Sequence, residues 1–128
     1  MNILLASTST LYGGKYLEYL DSEIQELYKG INEILFIPFA RPGGISHDDY
    51  TKKASDYFAK FNIKVKGLHE FENKITAIDN AKGYFTGGGN TFLLVKKLTD
   101  EFEDYTLHPP EGEEGESYVI QNWLERQL

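Results

Sequence analysis

The chain has no cysteine, which excludes disulfides, thiolate metal sites and a cysteine nucleophile, and suits a reducing cytoplasm. It has no apolar run long enough to cross a bilayer. Its start, Met1-Asn2-Ile3-Leu4-Leu5-Ala6, is too short and uncharged to read as a signal peptide. A cytoplasmic protein with no membrane partner is therefore expected. Positive charge is also in short supply, with 13 Lys+Arg against 20 Asp+Glu and a net charge of −7. That balance disfavours a nucleic-acid or anionic-membrane partner. The histidines, His47, His69 and His108, have no spacing that suggests zinc, so no metal and no other cofactor is expected.

What is present fits one small domain. The 128 residues are 41% hydrophobic and 14% aromatic, enough for a modest core and too much for wholesale disorder. The charge is unevenly placed: residues 1–100 carry 12 acids and 12 bases, whereas 101–128 carry 8 acids and the single base Arg126. The change in composition suggests two parts, an α/β domain over 1–98 and an acidic C-terminal segment over 99–128, either packed on that domain or solvated.

Within the first part, four apolar runs alternate with amphipathic stretches. Ile3–Ala6, Ile34–Ile37, Ile63–Leu68 and Gly83–Thr86 read as strands. Between them, Lys15–Tyr28 places Tyr16, Leu17, Leu20, Ile24, Leu27 and Tyr28 on one helical face, with Gly30 as its stop. Asp48 is the expected cap of a helix over Asp49–Phe61. Asn73 precedes a short helix, and Asn90 opens another over Thr91–Leu98 with Phe92, Leu94, Val95 and Leu98 inward or half-inward. The order β-α-β-α-β-α-β-α implies parallel strands, right-handed crossovers and helices on both faces. In such sheets ligands bind at the carboxyl ends of the strands. That rule selects three loops: Ser7–Gly14, Phe39–His47 and Gly87–Asn90.

Gly87-Gly88-Gly89-Asn90-Thr91 is the sharpest motif. It follows a strand and opens a helix, so it offers backbone N–H groups at a positive helix end, suited to an oxyanion, a carboxylate or a phosphate. It is neither a Walker loop nor a full dinucleotide fingerprint. The hydroxyl-rich loop at Ser7 either binds a polar ligand or caps the helix after it. Arg41, the one arginine before position 100, either pairs with a ligand carboxylate or is a solvated loop residue. His47 and Asp48 read as a helix start, and the aromatic residues Tyr12, Tyr16, Tyr19, Tyr50, Tyr57, Phe58 and Phe61 as core.

Taken in order, Leu4-Leu5-Ala6-Ser7-Thr8-Ser9-Thr10-Leu11, Leu35-Phe36-Ile37-Pro38-Phe39-Ala40, Asp49-Tyr50-Thr51, Gly67-Leu68-His69 and Gly87-Gly88-Gly89-Asn90-Thr91-Phe92 closely resemble the peptidase E family. The resemblance covers residues 2–98. It implies a three-layer α/β sandwich with a mainly parallel sheet, similar to class I glutamine amidotransferases and flavodoxin-like in plan. It also implies metal-free, serine-type hydrolysis of dipeptides with an N-terminal aspartate, with a small peptide as partner. Carried over residue by residue, Gly89 is the oxyanion-hole candidate. Gly87, Gly88, Asn90, Ser7 and Arg41 are candidates for substrate binding.

The family's serine sits in a Gly-x-Ser-Ala-Gly turn after the next strand, and no Gly-x-Ser-x-Gly occurs in these 128 residues. Ser7, Ser9, Ser46 and Ser117 lack the strand-to-helix elbow that exposes a nucleophile. Asp104-Tyr105-Thr106 and Pro110–Ser117 resemble the family's stretch that starts at its catalytic histidine, with Asp104 where that histidine would stand. Nucleophile and base are thus both absent, and the fold is expected to be incomplete relative to the family. Two further readings stand beside the hydrolase: an inactive ligand- or peptide-binding module that uses Gly87–Asn90, and, more remotely, a phosphate-binding nucleotide domain. An absent strand would leave an open sheet edge, which a homo-oligomer would cover.

Overall fold

A computed structural model describes residues 2–41 and 43–107. Three strands, β1 (Glu33–Ile37), β2 (Lys64–Gly67) and β3 (Tyr84–Thr86), form one parallel sheet in the order β2-β1-β3. Leu35 lies opposite Lys66 on one side and Tyr84 on the other, which fixes the register of the central strand. Four helices accompany them: α1 (Asp21–Leu27), α2 (His47–Ala59), α3 (Lys74–Asn80) and α4 (Thr91–Leu107).

The side-chain alternation of β1 explains the layers. Ile34 and Phe36 point to one face, where α1 and α2 deliver Ile24, Tyr50, Ala54, Tyr57 and Phe58. Leu35 and Ile37 point to the other, against Ala77 and Ile78 of α3 and Leu94 and Leu98 of α4. Both faces of β1 are buried, as its unbroken apolar run requires. This is the three-layer α/β, flavodoxin-like sandwich expected, with three strands among the described residues. The boundary placed near position 98 falls inside α4, and residues 108–128, including His108, Pro110–Ser117 and Arg126, lie outside the described residues.

Four local expectations are corrected. Residues 3–6 form no strand: Leu4 packs on the α1–α2 cluster, while Ile3 and Leu5 are 49% and 76% exposed. The segment keeps a strand's alternation but has no ladder partner among the described residues. The first helix begins late, with a 3-10 turn at Glu18–Leu20 before α1. Leu17 is buried in a left-handed conformation (φ 57°), its N–H held by the Ser9 carbonyl at 2.6 Å, and so cannot continue a helix. The cap of α2 is Ser46, whose hydroxyl accepts from Asp49 N–H at 3.0 Å, not Asp48. Phe92 is 82% exposed, because the buried stripe of α4 runs through Leu94 and Leu98 and a residue two places earlier faces away.

Candidate functional site

The carboxyl ends of β1 and β3 lie side by side, and their loops are tied together by backbone. Gly87 N–H donates to the Ile37 carbonyl at 3.2 Å, and Asn90 N–H donates to the Ala40 carbonyl at 2.6 Å. The Asn90 side chain accepts from Leu93 N–H at 3.1 Å and caps α4. Tyr50, in the first turn of α2, stands on Phe36 with ring centroids 5.1 Å apart and donates its hydroxyl to the Gly88 carbonyl at 3.1 Å.

The three glycines do different work. Gly87 is buried against the Tyr50 phenol, where a Cβ would overlap the ring. Gly88 is exposed, with open space around it. Gly89 has φ +148°, and a Cβ there would overlap the Ala40 carbonyl. Its conformation is one that only glycine adopts readily. With Gly87 and Asn90 N–H already paired, Gly88 and Gly89 N–H have no partner among the described residues. Two free donors at the start of a 17-residue helix form an anion-receptive edge.

Arg41 leaves the end of β1 and lies over the Tyr50 ring, its Cζ 5.1 Å from the centroid. Arg41, Tyr50 and Gly87–Asn90 are therefore brought together. Ser7 is not: it is exposed and makes no hydrogen bond to that group among the described residues. The rest of its loop is bound to itself, with Thr8 and Thr10 paired at 3.2 Å, Gly14 N–H on the Leu11 carbonyl, and the Tyr19 hydroxyl on the Thr8 carbonyl.

A second polar cluster sits at the ends of β1 and β2. His69 Nε2 shares a hydrogen bond of 2.7 Å with Asp48 Oδ1, while its buried Nδ1 has no partner among the described residues. The His47 ring meets His69 at 5.5 Å and Phe39 at 5.3 Å. Burial, then His69 and Lys97, hold the His47 pKa below its ordinary value, with Asp48 opposing them. No group of three or more His, Asp or Glu able to hold a metal ion exists among the described residues, and no helix there is long and apolar enough to cross a membrane.

Sequence reading missed the roles of Tyr50, Asp48 and His69. Helical spacing correctly put Tyr50 inward, but no periodicity shows what a phenol hydroxyl meets at the end of its ring. Tyr16, half-buried, precedes the first helix, and Tyr12 and Tyr19, read as core, are exposed. For Tyr50 the one available signal was its place in the first turn of the helix that follows a strand.

Known proteins are similar to this chain in sequence. The chain is 37% identical over 99 residues to a probable alpha-aspartyl dipeptidase of Drosophila melanogaster, which covers 76% of this chain and 40% of that protein. It is 40% identical over 102 residues to Peptidase E of Shigella flexneri serotype 5b and to Peptidase E of Escherichia coli O6:K15:H31, covering 78% of this chain and 43% of each. The chain thus spans about two fifths of the length of these relatives. The model of peptidase family S51 matches residues 3–109, which include β1–β3, α1–α4 and the glycine loop; the chain belongs to peptidase family S51.

Proposed function

We propose that the chain forms part of a serine-type hydrolase of dipeptides with an N-terminal aspartate, whose nucleophile and base come from sequence outside these 128 residues. The observation that carries this reading is the pair of unpaired N–H groups at Gly88 and Gly89, fixed beside Arg41 by the Asn90–Ala40 and Tyr50–Gly88 hydrogen bonds. The names of the relatives supply the substrate class. When a serine oxygen attacks the scissile carbonyl, the carbonyl electron pair moves to oxygen, and Gly89 N–H receives that oxyanion. The base passes the serine proton to the leaving amine, and water then releases the acyl group. Gly87 and Asn90 hold the loop, Gly88 N–H is the second donor, and Arg41 pairs with a substrate carboxylate. Ser7 is the outlying member of the proposed substrate-binding set.

The test is turnover of aspartyl-leucine against alanyl-leucine by the protein as purified from its source, with its intact mass measured. Selective cleavage of the aspartyl peptide by a protein heavier than these 128 residues is expected. A natural protein of this length that binds aspartyl dipeptides without cleaving them supports the second reading, an inactive binding module. That reading is favoured by the absence of any Gly-x-Ser-x-Gly here.

Among the described residues β3 pairs only with β1. Its Tyr84-Phe85-Thr86 carries none of the charge that Lys64 and Lys66 give the opposite edge. A second copy covering this edge goes with the second reading, in which no further strand lies beyond β3, and light scattering after gel filtration reads it out. A cytoplasmic location, tested by cell fractionation, completes the proposal.

A further inference from the structure

The glycine loop is pinned at its ends and loose in its middle. Gly87 N–H is bound to Ile37 and Asn90 N–H to Ala40, so the chain enters and leaves the loop on fixed hydrogen bonds. The peptide between Gly88 and Gly89 has glycine on both sides, the residue that opposes backbone rotation least. Among the described residues one hydrogen bond holds that peptide, from the Tyr50 hydroxyl to the Gly88 carbonyl at 3.1 Å.

That bond fixes a donor as well as a carbonyl. The peptide is trans, and in a trans peptide the C=O and N–H lie in one plane and point in opposite directions. With the Gly88 oxygen turned onto the buried Tyr50, Gly89 N–H points away from the phenol, at an exposed residue. Rotation of the peptide by half a turn would exchange the two and present a carbonyl where a donor now stands. An oxyanion is stabilised by the donor and repelled by the carbonyl. Tyr50 is suited to prevent the exchange because its own ring is confined. The ring packs edge-on against Phe36 at 5.1 Å, Arg41 lies over it at 5.1 Å, and it fills the space that a Cβ on Gly87 would need.

We infer that Tyr50 is a positioning residue for the reaction, holding the Gly88–Gly89 peptide in the orientation that offers Gly89 N–H to the site. The use of that donor on an oxyanion rests on the hydrolase reading; the hold of Tyr50 on the peptide does not.

The natural protein tests this through turnover of aspartyl-leucine and through NMR of the Gly89 amide. Tyr50→Phe keeps the ring among Phe36, Gly87 and Arg41 and removes only the hydroxyl. It should lower kcat about tenfold, less than the roughly 10²–10³-fold that follows outright loss of an oxyanion donor. KM should stay within twofold, because the ring under Arg41 is unchanged. Placing 4-aminophenylalanine at position 50 returns an N–H donor to the same spot and should restore most of kcat, which a role confined to packing does not predict. In the NMR, exchange of the Gly89 amide on the microsecond-to-millisecond scale should arise in Tyr50→Phe and not in the parent. A kcat within twofold of the parent, a loss carried by KM, or a loss that 4-aminophenylalanine leaves in place would each overturn the inference and leave the hydrolase standing. A parent that cleaves no aspartyl-leucine removes the hydrolase reading, and the Gly89 amide then decides the hold of Tyr50. Exchange confined to Tyr50→Phe upholds it, and the same behaviour in both proteins overturns it.

Discussion

Gly88 and Gly89 are neighbours of one residue type in one loop, yet replacing each by alanine should have opposite consequences. At Gly88 an added Cβ meets nothing within 4 Å and φ is not positive. Gly88→Ala should therefore change stability by less than about 0.5 kcal/mol, as surface substitutions do. At Gly89 two costs arise. A φ of +148° in a residue with a Cβ costs roughly 1–3 kcal/mol. The Cβ would also overlap the Ala40 carbonyl, which accepts Asn90 N–H at 2.6 Å, so the strands' loops must part and that bond, worth about 1 kcal/mol, is lost. Gly89→Ala should thus destabilise by roughly 2–4 kcal/mol, read as a lower urea midpoint at unchanged slope. In a thermal scan the same loss is a drop of roughly 4 °C or more per kcal/mol. Equal effects of the two substitutions, or a Gly89→Ala chain as stable as the parent, would refute the loop geometry on which the site is built.

Other consequences are shorter to state. Protonation of His47 is disfavoured in the folded chain relative to the unfolded one, so the unfolded state binds more protons and stability should decline as pH falls below about 6.5, levelling once the folded pKa is passed. Urea titrations across pH 5–8 should show a shallower slope in His47→Phe, and an unchanged slope argues against the desolvation of His47. The Asp21 carboxyl, bonded by Lys60 and Tyr57, is held below its ordinary range, so its contribution is present above pH ~4 and fades only below that. Ser46→Ala should cost about 1 kcal/mol by removing the cap of α2, measurable by urea denaturation, and no loss would return the cap to Asp48. Phe58→Ala, at a fully buried ring, should cost about 3–5 kcal/mol, whereas Phe92→Ser, at an exposed one, should leave the urea midpoint unmoved.

These contrasts follow from what a sequence can and cannot carry. The Ile34–Ile37 run announced a strand buried on both faces, and the spacing of Tyr50, Ala54, Tyr57 and Phe58 announced the helix that covers one of them, because both signals are periodic and local. Leu4 alternated correctly with Ile3 and Leu5, but a strand also needs a neighbour's backbone, and pairing is decided by residues far away in the chain. Leu17 failed as a helical residue for a similar reason, since the Ser9 carbonyl and its own burial hold it left-handed. The Asp48–His69 bond joins residues 21 positions apart and left no local trace. The glycine run was legible as a motif, yet its division of labour was not. Gly87 makes room for a phenol, Gly88 stays open, and Gly89 supplies a backbone angle. Each duty is set by a residue on another element, Tyr50 or Ala40, so the loop became interpretable only when β1 and α2 were placed beside it.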